Sequence, residues 1–327
     1  MKRCILPFTI DVEMKAYQNK AFPLGIFKAT MPDYDVWLCN KLIIPICYPW
    51  NFFDTLSEDL WSVNDGLSNC QFIELEPKTF NSKAFDILRL NKEMLQSGLY
   101  ITGTYNEFFI KGKRVYMKRD FPHDYIIFGY DDEKNAFLSA GYLADGSYSI
   151  FDIDYEAYYT SIVENNTATR SCLYYHQINK DYIPSIDIRT IKTRLGDYLH
   201  SQYSNPQANP EYFYGLSAWD KFVEYTGSIG EKNLDYRYSR IYMEHRAIMV
   251  KRMHKLYELD FLSDGDIVEE YYQNVYRPAQ ATHNLFMKYN LTRNANVLSR
   301  ITELMKASNA IEAELLRKMI DSLKITK

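Results

Sequence analysis

The stretch Pro122–Tyr142, PHDYIIFGYDDEKNAFLSAGY, carries the strongest fold signal in the chain. Two runs rich in aromatic and β-branched residues, His123–Tyr130 and Ala136–Tyr142, flank the polar segment Asp131–Asn135. This arrangement is typical of two antiparallel strands joined by a short turn. The stretch therefore predicts a β-hairpin, with His123 at the open end of its first strand.

The composition is that of a globular protein with a substantial core. Of the 327 residues, 46% are hydrophobic and 24% are charged, and the net charge at neutral pH is −4. A negative chain without a dense Lys/Arg run has no general attraction to phosphate backbones, so we expect no nucleic-acid partner. No apolar window is long enough to span a membrane, and the N-terminus lacks the pattern of a signal peptide. We expect a cytoplasmic protein without a membrane partner.

The residue types also bear on cofactors and ligands. The five cysteines are irregularly spaced and form no CxxC pair, which argues against a zinc site and a disulfide framework. We therefore expect free thiols, no metal and no bound cofactor. The 29 tyrosines suit partly buried surfaces and ligand grooves, although codon bias explains such a number equally well.

Hydrophobic periodicity divides the chain into two parts. The first mixes elements: helices are predicted at Trp37–Ile46, Lys83–Gln96 and Tyr155–Val163, and further strands at Leu99–Tyr105, Phe108–Met117 and Ser147–Ile153. Beyond about residue 170 the periodicity is helical, in Ile186–Gln202, Tyr214–Thr226, Tyr236–Leu259, Ile267–Tyr289 and Asn294–Leu323. We predict an α+β protein with an antiparallel sheet in domain 1–170, followed by an α-helical domain 171–327.

His123 is the first candidate for chemistry. It opens an apolar strand, which would hold its ring on a rigid element while leaving it accessible, as a general base requires. A structural role is the alternative for a lone histidine.

The hairpin sequence HDYIIFGYDDEKNAFLSAGY resembles the histidine-bearing hairpin of papain-like bacteriocin-processing peptidases, in which the second strand ends in a catalytic Asp. Two further stretches narrow the resemblance: LADGSYSIFDIDYEAYYTSI at 143–162 and DYRYSRIYMEHRAIMVKRM at 235–253. Together they resemble the butirosin-biosynthesis protein H family, which are papain-like acyltransferases found beside nonribosomal peptide and polyketide assembly lines.

The resemblance implies a papain-like catalytic domain and a helical C-terminal part. It also implies an activity: an acyl group passes from the phosphopantetheine thioester of a carrier protein to a small-molecule amine, through a cysteine thioester. The product would be an amide of specialised, antibiotic-type metabolism. Such chemistry needs a thiolate, a histidine that manages the proton, and a third group that orients the imidazole.

Cys39 is the best candidate for the nucleophile. The helix predicted over Trp37–Ile46 would place it near a helix start, where the dipole lowers a thiol pKa. The stretch lacks the Gln-x5-Cys-Gly pattern of the peptidases, so a buried apolar role for Cys39 is an equal alternative. The family's cysteine position could also fall on Trp37 or Leu38. The neighbouring Asn40 could bind an oxyanion or cap the helix.

The third group is not apparent. Pairing across the hairpin places residues 141–143 opposite His123, and the family's Asp would fall at 139–141, where the sequence reads Ser-Ala-Gly. Ser139 or Tyr142 could orient the imidazole by hydrogen bonding, with Tyr142 also a candidate for substrate binding, and Asp145 could reach back from the next turn. A non-catalytic relative that binds a carrier protein or a metabolite in a Tyr-lined groove is the alternative function.

The helical half offers basic residues for a partner. Arg237 and Arg240 are candidates for receiving the acidic surface or the phosphopantetheine arm of a carrier protein, with solvent-exposed salt bridges as the alternative. His245 and His254 invite a metal, but nine residues place them on opposite sides of a helix, so they cannot share one ion.

Overall fold

A computed structural model describes residues 2–56, 60, 67–75, 86–164, 171–206 and 208–325. The chain divides into two compact units: the first contains residues 1–32 and 59–182, and the second contains residues 33–58 and 183–327. The first unit thus extends beyond residue 170, and a segment near the N-terminus belongs to the second.

The strands of both units are antiparallel in all their pairings. In chain order they are β1 Arg3–Ile5, β2 Pro45–Tyr48, β3 Phe52–Thr55, β4 Leu67–Leu75, β5 Leu99–Asn106, β6 Pro122–Asp131, β7 Ala136–Tyr142, β8 Tyr148–Asp154, β9 Ser171–Ile178 and β10 Phe213–Tyr214.

The α-helices concentrate in the second unit. In chain order they are α1 Gln18–Thr30, α2 Tyr34–Cys39, α3 Ile87–Gln96, α4 Tyr155–Val163, α5 Ile188–Leu199, α6 Leu216–Ser228, α7 Tyr236–Glu258, α8 Asp266–Tyr271, α9 Arg277–Thr292 and α10 Ala295–Ser322. A π-helical turn at Tyr272–Tyr276 joins α8 to α9. The predicted helical second half is therefore confirmed, and the protein is of mixed α+β type.

The first unit is a sheet covered on both faces. Its strand order is β4-β9-β5-β6-β7-β8. The short strand β1 pairs with the C-terminal end of β6, beyond the residues of β6 that pair with β5. Helix α1 covers one face, the α1 face, where Phe22 and Ile26 pack against Ile126 of β6. Helices α3 and α4 cover the other face through residues such as Leu95 and Tyr158. The sheet therefore separates two cores, and alternation along each strand decides to which core a side chain belongs.

The predicted hairpin is confirmed as β6 and β7. Ile127 lies opposite Ser139, and Ile126 lies opposite Ala140, so the numbers of paired residues sum to 266. A register shift between Ile127 and Gly129 raises this sum by one for the pairs that lie nearer the turn. The register agrees with the pairing predicted from the turn length.

The second unit combines its helices with a small sheet of order β10-β2-β3. Here the helix predicted at Trp37–Ile46 is wrong: α2 ends at Cys39, and the chain continues into β2. Leu42 between them has a φ of 55°, and Pro45 opens the strand. Since a left-handed residue and a proline both interrupt an α-helix, the apolar run splits into a helix and a strand.

Two other predicted elements differ from the structure. The β-structure predicted at Phe108–Met117, around a turn at residues 111–113, is instead a 3₁₀ turn at Glu107–Phe109 followed by irregular turns. The helix predicted from Lys83 begins at Ile87, where the Asp86 side chain accepts a hydrogen bond from the Arg89 N–H; residues 83–85 lie outside the described part of the chain.

Candidate functional site

His123 lies near the start of β6, opposite Tyr105 of β5. Its side chain is 34% exposed, and its Nδ1 lies 2.7 Å from Oε1 of Glu107. The Glu107 side chain is only 8% exposed, so a buried carboxylate orients an accessible imidazole. This is the arrangement that general base catalysis uses to fix the tautomer of a histidine.

Glu107 is held in place by the end of β5. Asn106, the last residue of that strand, is buried, and its Oδ1 accepts hydrogen bonds from the N–H groups of Phe108 and Phe121. The N–H of Glu107 donates to the carbonyl of Phe121 at 2.9 Å. These bonds fasten the 3₁₀ turn to the start of β6 and aim Glu107 at His123.

Lys113 completes this polar cluster. Its ammonium lies 3.6 Å from Glu107, donates to the carbonyl of Tyr142 at 2.9 Å, and lies 4.4 Å from the ring centre of Phe151. Burial lowers the pKa of Lys113 to about 8, although the Glu107 carboxylate opposes that shift. The lysine therefore remains largely charged at neutral pH and neutralises Glu107.

The residues predicted to orient His123 lie elsewhere. Ser139 is buried opposite Ile127 and donates to the carbonyl of Ile126 at 2.7 Å, and four residues along a strand separate Ile127 from His123 by roughly 13 Å. Asp145 lies in the exposed turn after β7, where its Oδ1 accepts the N–H of Ser147, a bond that lowers the pKa of its carboxyl.

Tyr142 is the third residue predicted beside His123. Its hydroxyl donates to the carbonyl of Lys15 at 2.5 Å, and its backbone carbonyl receives the ammonium of Lys113. Tyr142 thus anchors the end of β7 and the lysine of the polar cluster. The group that orients His123 is instead Glu107, in the 3₁₀ turn that follows β5, the strand on the other side of β6.

Cys39 lies in the second unit, at the end of α2 rather than near a helix start. It is 2% exposed, and its sulfur lies 4.0 Å from the carbonyl of Arg252. Burial raises the pKa of the Cys39 thiol to about 11, and the buried Arg252 guanidinium only partly opposes that shift. A helix C-terminus also disfavours a negative charge, so both effects keep this thiol protonated.

Asn40, the C-cap residue of α2, connects two segments of the second unit. Its side-chain amide donates to the carbonyl of Ser185 at 2.8 Å, and its Oδ1 accepts the N–H of Asp187 at 3.0 Å. Both ends of the side chain therefore fix the segment that leads into α5.

The two arginines predicted to receive a carrier protein are paired with carboxylates. Arg237 lies 2.5 Å from Asp235, and Arg240 lies 2.7 Å from Glu244 on the next turn of α7. Arg240 is only 24% exposed. These pairs reduce the positive potential that an acidic partner would meet.

A cleft opens on the α1 face of the first unit, on the other side of the sheet from His123. Its volume is about 330 Å³, which is at the lower end of the range for small-molecule pockets. Side chains from α1 and from three neighbouring strands contribute to its lining: Phe22, Thr102, Thr104, Asp124, Tyr174 and His176. Asp124 follows His123 directly, and alternation along β6 turns the two side chains to opposite faces.

His176 is the basic side chain in the cleft lining. It is 4% exposed, and its Nε2 lies 2.7 Å from the hydroxyl of Thr102. Burial lowers the pKa of His176 to about 4, so the ring is neutral at physiological pH. The cleft wall at this point is therefore polar but uncharged.

Comparison of the sequence with models of protein families finds no match, and comparison with curated proteins finds no significant similarity. Within the described ranges, no group of three His, Cys, Asp or Glu side chains could hold a metal ion. In that same part of the chain, no helix is both long and apolar enough to cross a membrane.

Proposed function

We propose that this chain binds a small molecule in the cleft of its first unit, as a non-catalytic relative of the papain-like acyltransferases. The observation that carries the proposal is the cleft itself, an open apolar cavity with a few convergent polar groups. None of its described lining residues is a cysteine, and His123 belongs to the other face of the sheet.

Replacing Asn19 with tryptophan is expected to abolish binding in the cleft. Asn19 is exposed and lines the cleft, so an indole there would fill the cavity without disturbing the core. The measurement is a thermal-shift screen of small amines, alcohols and acids, because a ligand that binds only the folded state raises the melting temperature.

Asn296→Trp is the matched control, because Asn296 is likewise exposed and likewise the second residue of its helix, α10. Compounds that stabilise the unaltered protein should stabilise Asn296→Trp equally and leave Asn19→Trp unchanged. Stabilisation that persists in Asn19→Trp, or a screen without any stabilising compound, would contradict the proposal.

Acyl transfer from a carrier-protein thioester to an amine is the second candidate. The hydrogen bond between Glu107 and His123 favours it, since it supplies the acidic partner that the hairpin sequence lacks. In this reading Cys39 would give its proton to His123 and attack the acyl-phosphopantetheine thioester, and the phosphopantetheine thiol would leave with that proton. The acyl-cysteine would then pass its acyl group to a small-molecule amine.

The reactivity of Cys39 separates the two candidates. With a pKa of about 11, its thiolate fraction at about pH 8 is roughly two orders of magnitude below that of an ordinary cysteine. We expect no adduct on Cys39 after incubation with an acyl-pantetheine thioester, and alkylation by iodoacetamide slowed about a hundredfold relative to the urea-unfolded chain. Peptide mass spectrometry, with Cys39→Ser as the control, measures both. An acyl adduct that forms on the unaltered protein and is absent from Cys39→Ser would contradict the binding proposal and support acyl transfer.

A further inference from the structure

The charge of the cleft is set by Asp124. It is the acidic residue of the described lining, and His176, the basic one, is neutral at physiological pH. The titratable group that acts on Asp124 is His123, which precedes it and lies on the opposite face of β6. An ionised Asp124 therefore gives the cleft lining a net negative charge.

The surroundings of Asp124 leave its charge only partly compensated. Partial desolvation raises the pKa of the Asp124 carboxyl, while the nearby His123 and a hydrogen bond from the Thr104 side chain act in the opposite sense. Among the described residues, no lysine or arginine that lines the cleft offers an ion pair. Asp124 itself is an exposed residue, so its carboxylate is accessible to a positive group on a ligand, which would pair with it.

Aromatic rings form part of the same wall. Phe22 of α1 and Tyr174 of β9 both line the cleft; Phe22 is only 1% exposed, whereas Tyr174 is 38% exposed. The faces of such rings attract organic cations as well as apolar groups. An exposed tyrosine ring and a carboxylate in the lining of one cleft favour positively charged molecules with an apolar body.

We propose that the ligand of the cleft is a small organic cation, an ammonium with an apolar or aromatic body, whose charge is bound by Asp124. This inference rests on the proposed binding function and adds the charge and the anchoring residue to it. Thr102 and Thr104 also line the cleft, so it contains hydroxyl oxygens that can accept hydrogen bonds from a primary ammonium.

Three probes of equal aromatic body test the charge. Titrations of the full chain followed by NMR would use 2-phenylethylamine, 2-phenylethanol and 3-phenylpropionate, which are a cation, a neutral molecule and an anion. We expect the amine to bind about tenfold more tightly than the alcohol, and the carboxylate more weakly than both. Asp124→Asn should bring the amine and the alcohol to within about threefold of each other.

Asp152→Asn is the matched control, because Asp152 is an exposed aspartate of the same sheet that does not line the cleft. It should leave the preference for the amine unchanged. Equal affinities of the amine and the alcohol in the unaltered protein, both lost in Asn19→Trp, would overturn the cation assignment and leave the binding function standing. Binding of no probe, or binding unaffected by Asn19→Trp, would overturn both.

Discussion

Replacing Glu312 with alanine is expected to lower the free energy of unfolding of the second unit by about 3–5 kcal/mol. Glu312 of α10 and Arg246 of α7 form an ion pair in which both side chains are fully buried. The hydroxyls of Tyr198 and Tyr271 donate to the same carboxylate, the former at 2.6 Å. Removing Glu312 would leave two buried hydroxyls without this acceptor, and the buried Arg246 guanidinium with only two neutral acceptors, the backbone carbonyl of Tyr242 and Oδ1 of Asn309.

Urea unfolding of the full chain, followed by circular dichroism, measures this effect, because most helices belong to the second unit. Glu314→Ala is the matched control: Glu314 is exposed, two residues along the same helix, and its removal should change the stability by no more than about 0.5 kcal/mol. Glu312→Gln should fall between the two, since the amide keeps an acceptor but loses the charge. A loss below about 1 kcal/mol in Glu312→Ala would show that water replaces the carboxylate.

The sequence predicts the hairpin at 122–142 because every signal for it is local. Two runs rich in aromatic and β-branched residues and a polar turn of the right length fix the elements and their register together. The helix at 37–46 fails for the opposite reason: a short apolar run fits a helix and a strand equally well. There the left-handed Leu42 and the pairing of β2 with β3 decide the outcome.

The candidate site could be predicted only in part, because its residues meet through pairings between segments distant in the chain. His123 follows from the hairpin, but Glu107 reaches it only because β5 lies on the other side of β6. A hairpin sequence defines one neighbour of a strand and leaves the second open. The available signal was a glutamate two residues after the strand predicted at Leu99–Tyr105, and the missing information was the register between β5 and β6.

The cleft depends even more on non-local pairing. Tyr174 and His176 lie on β9, which pairs with β5 although some seventy residues separate the two strands along the chain. The sequence places β9 next to a helical region, and its contribution to the first unit follows only from the sheet order. Asp124 belongs to no recognisable sequence motif. It follows His123 directly in the sequence, although alternation along the strand turns the two side chains to different faces of the sheet.

Acid is expected to destabilise the second unit through His245 of α7. The ring is fully buried, its Nε2 donates to the carbonyl of Ile43 at 3.0 Å, and its Nδ1 has no hydrogen-bond partner among the described residues. Burial, together with the charges of Arg246 and Arg252, lowers the pKa of His245 to about 3. Protonation would place an unpaired N–H and a third positive charge in this core.

The direction of the pH effect follows from the lowered pKa. The unfolded chain takes up a proton at His245 near pH 6.5, whereas the folded chain takes up that proton only near pH 3. The stability that the neutral ring contributes is therefore complete above about pH 6.5 and falls by about 1.4 kcal/mol for each pH unit below it. Between about pH 7 and about pH 5 the expected loss from this residue is about 2 kcal/mol.

His245→Gln isolates that loss, because glutamine keeps a donor for Ile43 and does not titrate. The difference in unfolding free energy between the unaltered protein and His245→Gln should shrink by about 2 kcal/mol from about pH 7 to about pH 5, as measured by urea unfolding at each pH. His254→Gln, an exposed position on the same helix, should show the pH dependence of the unaltered protein. If His245→Gln and the unaltered protein lose stability in parallel, the ring is not held neutral, and the acid sensitivity must come from other groups.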